Sequence, residues 1–318
     1  MAKYVIKRLL WMIPVAIGVA VVIFTILYFT PGDPAVMILG SSATFEDRQI
    51  LRESMGLNDP YIVQLLRFLK DTFLKLDLGT SYFTNKTVTS EIATRLPYTF
   101  MLALGSMILS CVIGIPLGIT AAVNQNKLSD RISMLIALVG VSMPQFWIGL
   151  LLVLIFSVHL GILPPSGVGS WQHYVIPIIA TSLGGIATQA RLVRSSMLDV
   201  IRADYVTTAR AKGVSKFAAV YKHALPNALI PVITQVGTSF GKTLGGTIVI
   251  ESVFGIPGIG NYMISAVNNR DYPVVRGSVV FLAVTFSFIV LLVDIIYAYV
   301  DPRIKAQYEG KSRRRKNG

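Results

Sequence analysis

The feature that most constrains this chain is a set of six long apolar runs. Four of them contain no charged residue, and the other two contain one each, Lys242 and Asp294. A helix of about 20 apolar residues crosses the ~30 Å hydrocarbon core of a bilayer. The runs therefore predict an all-α integral membrane protein with six transmembrane helices. The predicted spans are 9–30, 98–123, 132–158, 174–190, 228–250 and 278–300.

The composition supports this prediction, because 53% of the 318 residues are hydrophobic and only 14% are charged. Soluble domains carry about 25% charged residues. The one cysteine, Cys111, lies inside the second predicted span, so the chain forms no intrachain disulfide. Residues 1–318 are interpreted as a single transmembrane domain.

Basic residues are divided unequally between the two sets of segments that the spans separate. One set carries 19 basic residues against five acids, and the other carries nine against ten. Lys and Arg concentrate on the cytoplasmic side of membrane proteins, which predicts that both termini are cytoplasmic. The run Arg313–Lys316 is interpreted as an anchor near anionic lipid rather than a nucleic-acid site. The basic set comprises residues 1–8, 124–131, 191–227 and 301–318.

Two long stretches connect the spans. In the outer segment 31–97, apolar residues recur at three- and four-residue steps within Asp59–Leu76, which predicts an amphipathic surface helix. In the cytoplasmic loop 191–227, a helix is predicted to end at Gly213, because glycine is favoured just past a helix end. A second helix is predicted over 214–225, ending before Pro226, which disrupts helix interiors.

Sites for nucleotide or metal are not predicted. The string GTSFGKT at 237–243 is similar to a phosphate-binding loop, but only three residues separate its glycines and it lies inside an apolar span. The three histidines, His159, His173 and His223, are scattered. The chain is therefore expected to catalyse no reaction on its own.

Small residues recur at four-residue spacing in two spans. Gly114 and Gly118 do so in the second span, and Gly237, Gly241 and Gly245 in the fifth. Such residues let helices approach closely in lipid. For the fifth span, close packing and a glycine-lined path for substrate both remain open.

Lys242 and Asp294 are the ionisable residues inside the predicted spans, where such groups usually face an interior or a water-filled cavity. Their positions along the spans differ by about 12 Å in depth at 1.5 Å per residue, which argues against a direct ion pair. Asp294 is assigned a structural hydrogen-bonding role. For Lys242, contact with a cargo carboxylate and a place at a subunit contact are both open.

The cytoplasmic loop resembles the "EAA" loop of ABC importer permeases, which has the form EAA, three residues, Gly, nine residues, Ile-x-Leu-Pro. Ala209, Gly213, Leu225 and Pro226 match, whereas the Glu and Ile of that pattern are missing. The strings ADYVTTARAKG at 203–213, which includes Asp204, and HALPNALIPVIT at 223–234 are similar to the oligopeptide/dipeptide/nickel subfamily version.

Other segments resemble the same subfamily along nearly the whole chain. The long outer segment is similar to that of the "B"-type permease, the usual partner of a shorter-looped "C"-type permease. The resemblance implies an outer gate, with Glu251, Phe254, Pro257 and Gly258 as candidates. The matching segments are 30–34, 78–81, 142–147, 251–260, 270–273, 292–294 and 301–303.

The resemblance implies an importer in a bacterial or archaeal cytoplasmic membrane, working by alternating access. Its expected partners are a second permease, two cytoplasmic ABC ATPases that bind ATP and Mg²⁺, and an external substrate-binding protein. The helix after Gly213 would dock on an ATPase. Peptide is the expected cargo, with nickel chelate, glutathione and oligosaccharide as alternatives. A channel, a secondary transporter or a membrane scaffold is a more distant alternative.

Overall fold

The computed structural model describes residues 2–40 and 42–300, which are predominantly helical. The predicted motif at 301–303 and the basic run Arg313–Lys316 lie outside the described residues. The backbone is π-helical at Val153–His159 and Ala219–Ala224. The α-helices are α1 (Ala2–Phe29), α2 (Pro34–Leu39), α3 (Phe45–Ser54), α4 (Tyr61–Leu74), α5 (Val88–Val123), α6 (Leu128–Ser142), α7 (Gln145–Leu152), α8 (Gln172–Ile201), α9 (Asp204–Ala211), α10 (Lys216–Ala218), α11 (Leu225–Ala228), α12 (Ile230–Gly246), α13 (Ile248–Val253), α14 (Ile259–Asn269) and α15 (Tyr272–Val300).

Four helices of the described part are long and apolar enough to cross a membrane, and a fifth crossing exists if one bent pair counts as a span. Several of these helices extend beyond the predicted apolar runs, because a helix continues past the hydrocarbon core where its polar residues meet water. The four are Val5–Phe29, Val88–Val123, Gln172–Ile201 and Tyr272–Ile296.

The prediction of one continuous helix over 132–158 is wrong. Helix α6 ends at Ser142, and the next helical segment, which begins at Gln145, is bent from it by 101°. Met143 has an extended backbone, with φ −99° and ψ 137°. Pro144 explains the break, because it lacks an N–H and disfavours the helical conformation of the residue before it.

The predicted span 228–250 is not one continuous helix either. Helix α12 has 17 residues and is followed, after Thr247, by the separate six-residue helix α13. Two successive glycines, at 245 and 246, immediately precede the break. Glycine weakens a helix because of its greater backbone freedom.

Helices α5 and α8 form the central packed pair, and glycines allow their close approach. A Cβ added at Gly114 would lie 2.8 Å from the carbonyl oxygen of Ile186, and one added at Gly118 would lie 2.6 Å from that of Ala190. No side chain fits there without moving backbone. The small-residue spacing in α5 therefore serves helix packing.

The glycines of α12 differ from one another. A Cβ at Gly237 would collide with Val293 of α15, and a Cβ at Gly241 would lie 2.7 Å from Phe286 of the same helix. Gly245 has nothing within 4 Å of an added Cβ and is exposed. Two glycines thus pack against α15, whereas Gly245 belongs to an open face.

The outer segment is attached to the membrane helices through aromatic side chains and one buried acid. Helix α4, predicted as an amphipathic helix, stacks Phe68 on Phe24 of α1 with ring centroids 5.6 Å apart. The loop before α5 is fixed to the start of α15: Ser81 Oγ donates to Asp271 Oδ2 at 2.5 Å, and Tyr82 N donates to Oδ1 at 3.2 Å. Two of the recognised segments, 78–81 and 270–273, therefore lie in contact.

Candidate coupling and translocation site

After α8, the predicted coupling loop contains a short helix, a glycine turn and a second helical stretch. Helix α9 begins at Asp204, which is exposed in the first turn, where a carboxylate favours the helix dipole. Gly213 has φ +90°, in the left-handed region, and the N–H of Val214 donates to the carbonyl of Ala209 at 3.2 Å. The glycine turn expected from the sequence is therefore present.

The helical stretch after the turn does not end at Pro226. It begins at α10, continues through the π-helical segment Ala219–Ala224 and runs through Pro226 into α11. The Leu225 N–H donates to the carbonyl of Val220, five residues back. Wider π-helical spacing just before the proline reduces the clash that Pro226 would cause in a regular α-helix, so the expected end at Pro226 is wrong.

The loop packs on the membrane helices through its own hydrophobic cluster. Val206, Val220 and Ala224 are buried with Val193 and Met197 of α8. Leu225 packs against this cluster and is half-buried. The coupling segment, defined here as residues 204–228, is therefore held against α8 rather than hanging freely.

An aromatic pair stands on the exposed side of the coupling segment. The rings of Phe217 and Tyr221 have centroids 4.4 Å apart, and the side chains are 71% and 42% exposed. The pair is a candidate contact for a partner subunit. Neither Phe217 nor Tyr221 was predicted from the sequence. The same segment also carries four exposed basic side chains, Arg210, Lys212, Lys216 and Lys222.

A bidentate ion pair fixes the C-terminal part of α8. Arg194 donates from Nε to Asp130 Oδ1 at 2.6 Å and from Nη2 to Oδ2 at 2.8 Å. Asp130 is buried and also accepts from the Asn126 N–H at 2.9 Å. Since α8 leads directly into the coupling segment, this pair connects the α5–α6 turn to it.

Glu251, a predicted gate residue, is fully buried at the centre of a hydrogen-bonded cluster. Its Oε1 accepts from Thr99 at 2.8 Å and from Thr247 at 2.9 Å, and its Oε2 accepts from the Asn261 N–H at 3.0 Å. Thr99 Oγ1 itself accepts from the Ile259 N–H, so its proton points to Glu251. The carboxyl group thus ties α5, α13 and the start of α14 together.

The other three gate candidates surround the same turn. Gly258 has no room for a side chain, because a Cβ there would collide with the Glu251 carboxyl. Phe254 is buried, and its ring lies 2.9 Å from where a Cβ on Gly149 of α7 would stand. Pro257 is half-buried. The structure brings the four candidates into one buried turn; their role in gating stays a prediction.

Lys242 and Asp294 are not paired with each other. Asp294 forms an ion pair with Arg8 of α1, which agrees with a structural role. Lys242 is exposed, and within residues 2–40 and 42–300 it has no hydrogen bond or ion pair. It lies on one face of α12 with Gln235, Thr238 and Gly245.

The string at 237–243 lies entirely within α12, so its backbone amides belong to a helix.

The predicted coupling residues lie together in the structure, and so do the predicted gate residues. The two groups lie in separate regions of the chain. Thr99 and Thr247, which donate hydrogen bonds to Glu251, were not predicted from the sequence. Arg194, which pairs with Asp130, was not predicted either. Asp130 was counted only as a cytoplasmic charge. The sequence offers one signal for the Asp130–Arg194 pair: Asp130 stands just before the apolar run 132–158, and Arg194 stands just after the apolar run 174–190.

Relatives with known names match nearly the whole chain. The glutathione transport system permease protein GsiC of Salmonella paratyphi A is 44% identical over 305 residues, which cover 96% of this chain and 99% of the relative. The protein of the same name from Escherichia coli K12 is 42% identical with the same coverage.

Among solved structures, inward-facing forms of the MetNI methionine ABC transporter match with a TM-score of 0.57 and 19% identity, covering 66% of this chain and 96% of theirs. That likeness concerns the fold alone. Residues 114–306 match the family described as binding-protein-dependent transport system inner membrane component, and residues 1–103 match its N-terminal component. The chain therefore belongs to the family of binding-protein-dependent transport system inner membrane components, the permease subunits of ABC importers.

Proposed function

We propose that this chain is the B-type permease of an importer for peptide-class cargo. The observation that carries the proposal is the coupling segment, a packed helical element with an exposed aromatic pair and four exposed basic side chains. The partners are a C-type permease, two ABC ATPases that bind ATP and Mg²⁺, and an external binding protein. The chain itself binds no nucleotide and catalyses no reaction.

The cargo assignment rests on chemistry shared with the relatives. Glutathione, the substance in their names, is a tripeptide with free carboxylates and an ammonium group. The peptide class includes it, and glutathione is the first cargo to test. Nickel chelates and oligosaccharides are the alternatives.

In the proposed mechanism, closure of the ATPases moves the coupling segment, and the membrane helices follow. The hydrophobic cluster shared with α8, together with the Asp130–Arg194 pair, makes this region one mechanical unit. The unit then changes the access of a path at the interface of the two permeases. The exposed polar face of α12 that carries Lys242 and Gly245 would line that path.

The proposed topology has six crossings with both termini in the cytoplasm. The bent pair α6–α7 with its π-helical continuation supplies one crossing, and α12 supplies another. At 1.5 Å per residue, the 17 residues of α12 extend about 25 Å, which is near the thickness of the hydrocarbon core. An even number of crossings agrees with the basic bias of the termini and of the coupling segment.

Affinity purification tests the proposed partners. A tag on this chain, expressed from its own operon in native membranes, is expected to recover two ATPase subunits and a second permease in stable amounts. Recovery of this chain alone, or as a homo-oligomer without ATPases under the same mild detergent, would refute the importer assignment and favour a channel or a secondary transporter.

Gly213→Val is expected to reduce ATPase activity stimulated by cargo and binding protein at least about fivefold, since a left-handed backbone costs a residue with a side chain ~1–2 kcal/mol. An added Cβ meets no atom within 4 Å, so the effect would be conformational rather than steric. The measurement is stimulated ATP hydrolysis by the purified complex.

Gly213→Asn is the matched control, because asparagine tolerates the left-handed region. It is expected to keep most of the stimulation. Equal activity of the valine, asparagine and unmodified complexes would show that the glycine turn plays no part in coupling.

Lys242→Met is expected to lower peptide uptake per assembled complex by about fivefold, the factor that corresponds to ~1 kcal/mol. Lys242→Glu should lower it further, because it repels the cargo carboxylate in addition to losing the attraction. Uptake in proteoliposomes, normalised to assembled complex, is the measurement. If both variants instead fail in complex yield while the remaining complexes transport normally, Lys242 is a subunit contact.

A further inference from the structure

A cavity of about 440 Å³ lies where the outer segment meets the membrane helices. We call it the outer cavity. Helices α3 and α4 form one wall, and the ends of α1 and α15 nearest the outer segment form the other. Tyr272 and Arg276 of α15 both line it, and their four-residue spacing places them on one helix face. Neither residue has a role in the coupling segment or in the turn around Glu251.

The guanidinium group of Arg276 packs against two aromatic rings. Its central carbon lies 4.9 Å from the ring centroid of Phe68 and 5.5 Å from that of Phe24. Because the two centroids are only 5.6 Å apart, both rings lie on the same side of the guanidinium group and orient it through cation–π contacts. In the described chain, the buried Nε of Arg276 has no hydrogen-bond partner, and neither has the buried hydroxyl of Tyr272.

Arg276 also lacks an acidic partner. Among residues 2–40 and 42–300, no carboxylate lies within 4.0 Å of its guanidinium nitrogens. Asp271 attracts it from farther away, but that carboxylate already accepts hydrogen bonds from Ser81 and Tyr82. The Tyr82 hydroxyl accepts a hydrogen bond from Arg276. Burial raises the pKa of this hydroxyl, so the partner is a neutral phenol at physiological pH and does not balance the charge of Arg276.

The other arginines of the cavity are neutralised within the chain. Arg52 pairs with Asp33 at 2.8 Å, and Arg67 pairs with Asp59. The cavity lining also holds Asp71, which pairs with Lys75 at 2.8 Å, and Asp77, which accepts from the Gly79 N–H at 2.8 Å. Of the three arginines that line the cavity, Arg276 is thus the one without a carboxylate within 4.0 Å in the described residues. Since a charge removed from water is costly unless it is paired and hydrogen-bonded, this arrangement is that of a site whose counter-ion comes from outside the chain.

We propose that the outer cavity binds an anionic oxygen group, a phosphate or a carboxylate, on Arg276. The Arg276 Nε–H and the Tyr272 hydroxyl donate hydrogen bonds to it. Two sources offer this chemistry: the phosphate of a phospholipid headgroup in the outer leaflet, and a soluble anion. The cavity lining includes Leu27, Tyr28 and Thr30 at the end of a helix long enough to cross a membrane, which is the end where lipid headgroups are expected. The proposal does not depend on which cargo the importer carries.

Native mass spectrometry of the full-length chain, stripped of lipid in detergent, tests the lipid source. The probes are phosphatidylglycerol and a diacylglycerol with the same acyl chains. Phosphatidylglycerol is expected to bind at least about tenfold more tightly than diacylglycerol, and Arg276→Gln to abolish that preference. Arg67→Gln, which alters a cavity arginine already paired, is the matched control and should keep the preference within about twofold.

Stabilisation of the same preparation against heat by inorganic phosphate or acetate tests the soluble source. Stabilisation that Arg276→Gln removes, without a phosphatidylglycerol preference, supports the site and assigns it to soluble anions. Tyr272→Phe and Arg276→Lys keep the proposal testable if Arg276→Gln does not fold. We expect both to bind more weakly than the unmodified chain by about threefold or more. The proposal is overturned if no anion binds, or if binding is unchanged in all three variants.

Discussion

Glu251→Ala is expected to destabilise the folded chain by about 3 kcal/mol or more, because it leaves three buried donors without an acceptor at about 1–3 kcal/mol each. The donors are the hydroxyls of Thr99 and Thr247 and the N–H of Asn261. The substitution also empties the space that Gly258 leaves for the carboxyl group. The measurement is the thermal unfolding midpoint of the purified chain, with the yield of monodisperse protein beside it.

Glu251→Gln distinguishes hydrogen bonding from volume, since it preserves the shape of the side chain. Its amide oxygen still accepts from both threonines, but its NH₂ group faces the Asn261 N–H, so we expect an intermediate loss. Glu53→Gln, on an exposed glutamate of α3, is the control and should leave the midpoint unchanged. A Glu251→Ala chain as stable as this control would show that the buried cluster does not hold α5, α13 and α14 together.

Gly118→Ala is expected to be the most damaging of the conservative glycine substitutions. The added methyl carbon would lie 2.6 Å from both the Ala190 carbonyl oxygen and Val193 Cβ of α8. Overpacking typically costs about 1–3 kcal/mol, and here backbone atoms leave no flexible side chain to yield. We therefore expect separation of α5 from α8, seen as a lower unfolding midpoint and a lower yield of folded protein.

Gly18→Ala provides the matched comparison. Gly18 also lies within a membrane-crossing helix, but an added Cβ there meets no atom within 4 Å. Because alanine is the better helix former, this variant should be as stable as the original chain or slightly more so. If the two variants have the same stability, close α5–α8 packing at Gly118 is not part of the fold.

The sequence predicted a membrane helix correctly where one unbroken apolar run determines the helix. The runs at 9–30, 98–123 and 278–300 correspond to α1, α5 and α15, although the helices extend farther. Hydropathy averages over many residues and does not register a single backbone break. The breaks after Ser142 and at Thr247 depend on Pro144 and on adjacent glycines, which are local effects within otherwise apolar stretches.

The candidate sites were predictable only where a motif marked them. The Gly213 turn follows from one residue's conformational preference, and the structure has it. The Thr99–Glu251 contact joins residues 152 positions apart, and no periodicity within one sequence encodes such a pairing. Arg276 was likewise invisible, since its significance depends on rings from α1 and α4 and on the absence of a nearby acid in the described structure.

ATP-dependent uptake distinguishes an importer permease driven by partner ATPases from a channel or a secondary transporter. The complete complex, reconstituted in proteoliposomes with its binding protein outside, is supplied with radiolabelled glutathione or dipeptide and with ATP and Mg²⁺ on the ATPase side. We expect accumulation against a gradient that requires ATP hydrolysis and the binding protein. Equal uptake without ATP, or uptake that follows an imposed ion gradient, would contradict it.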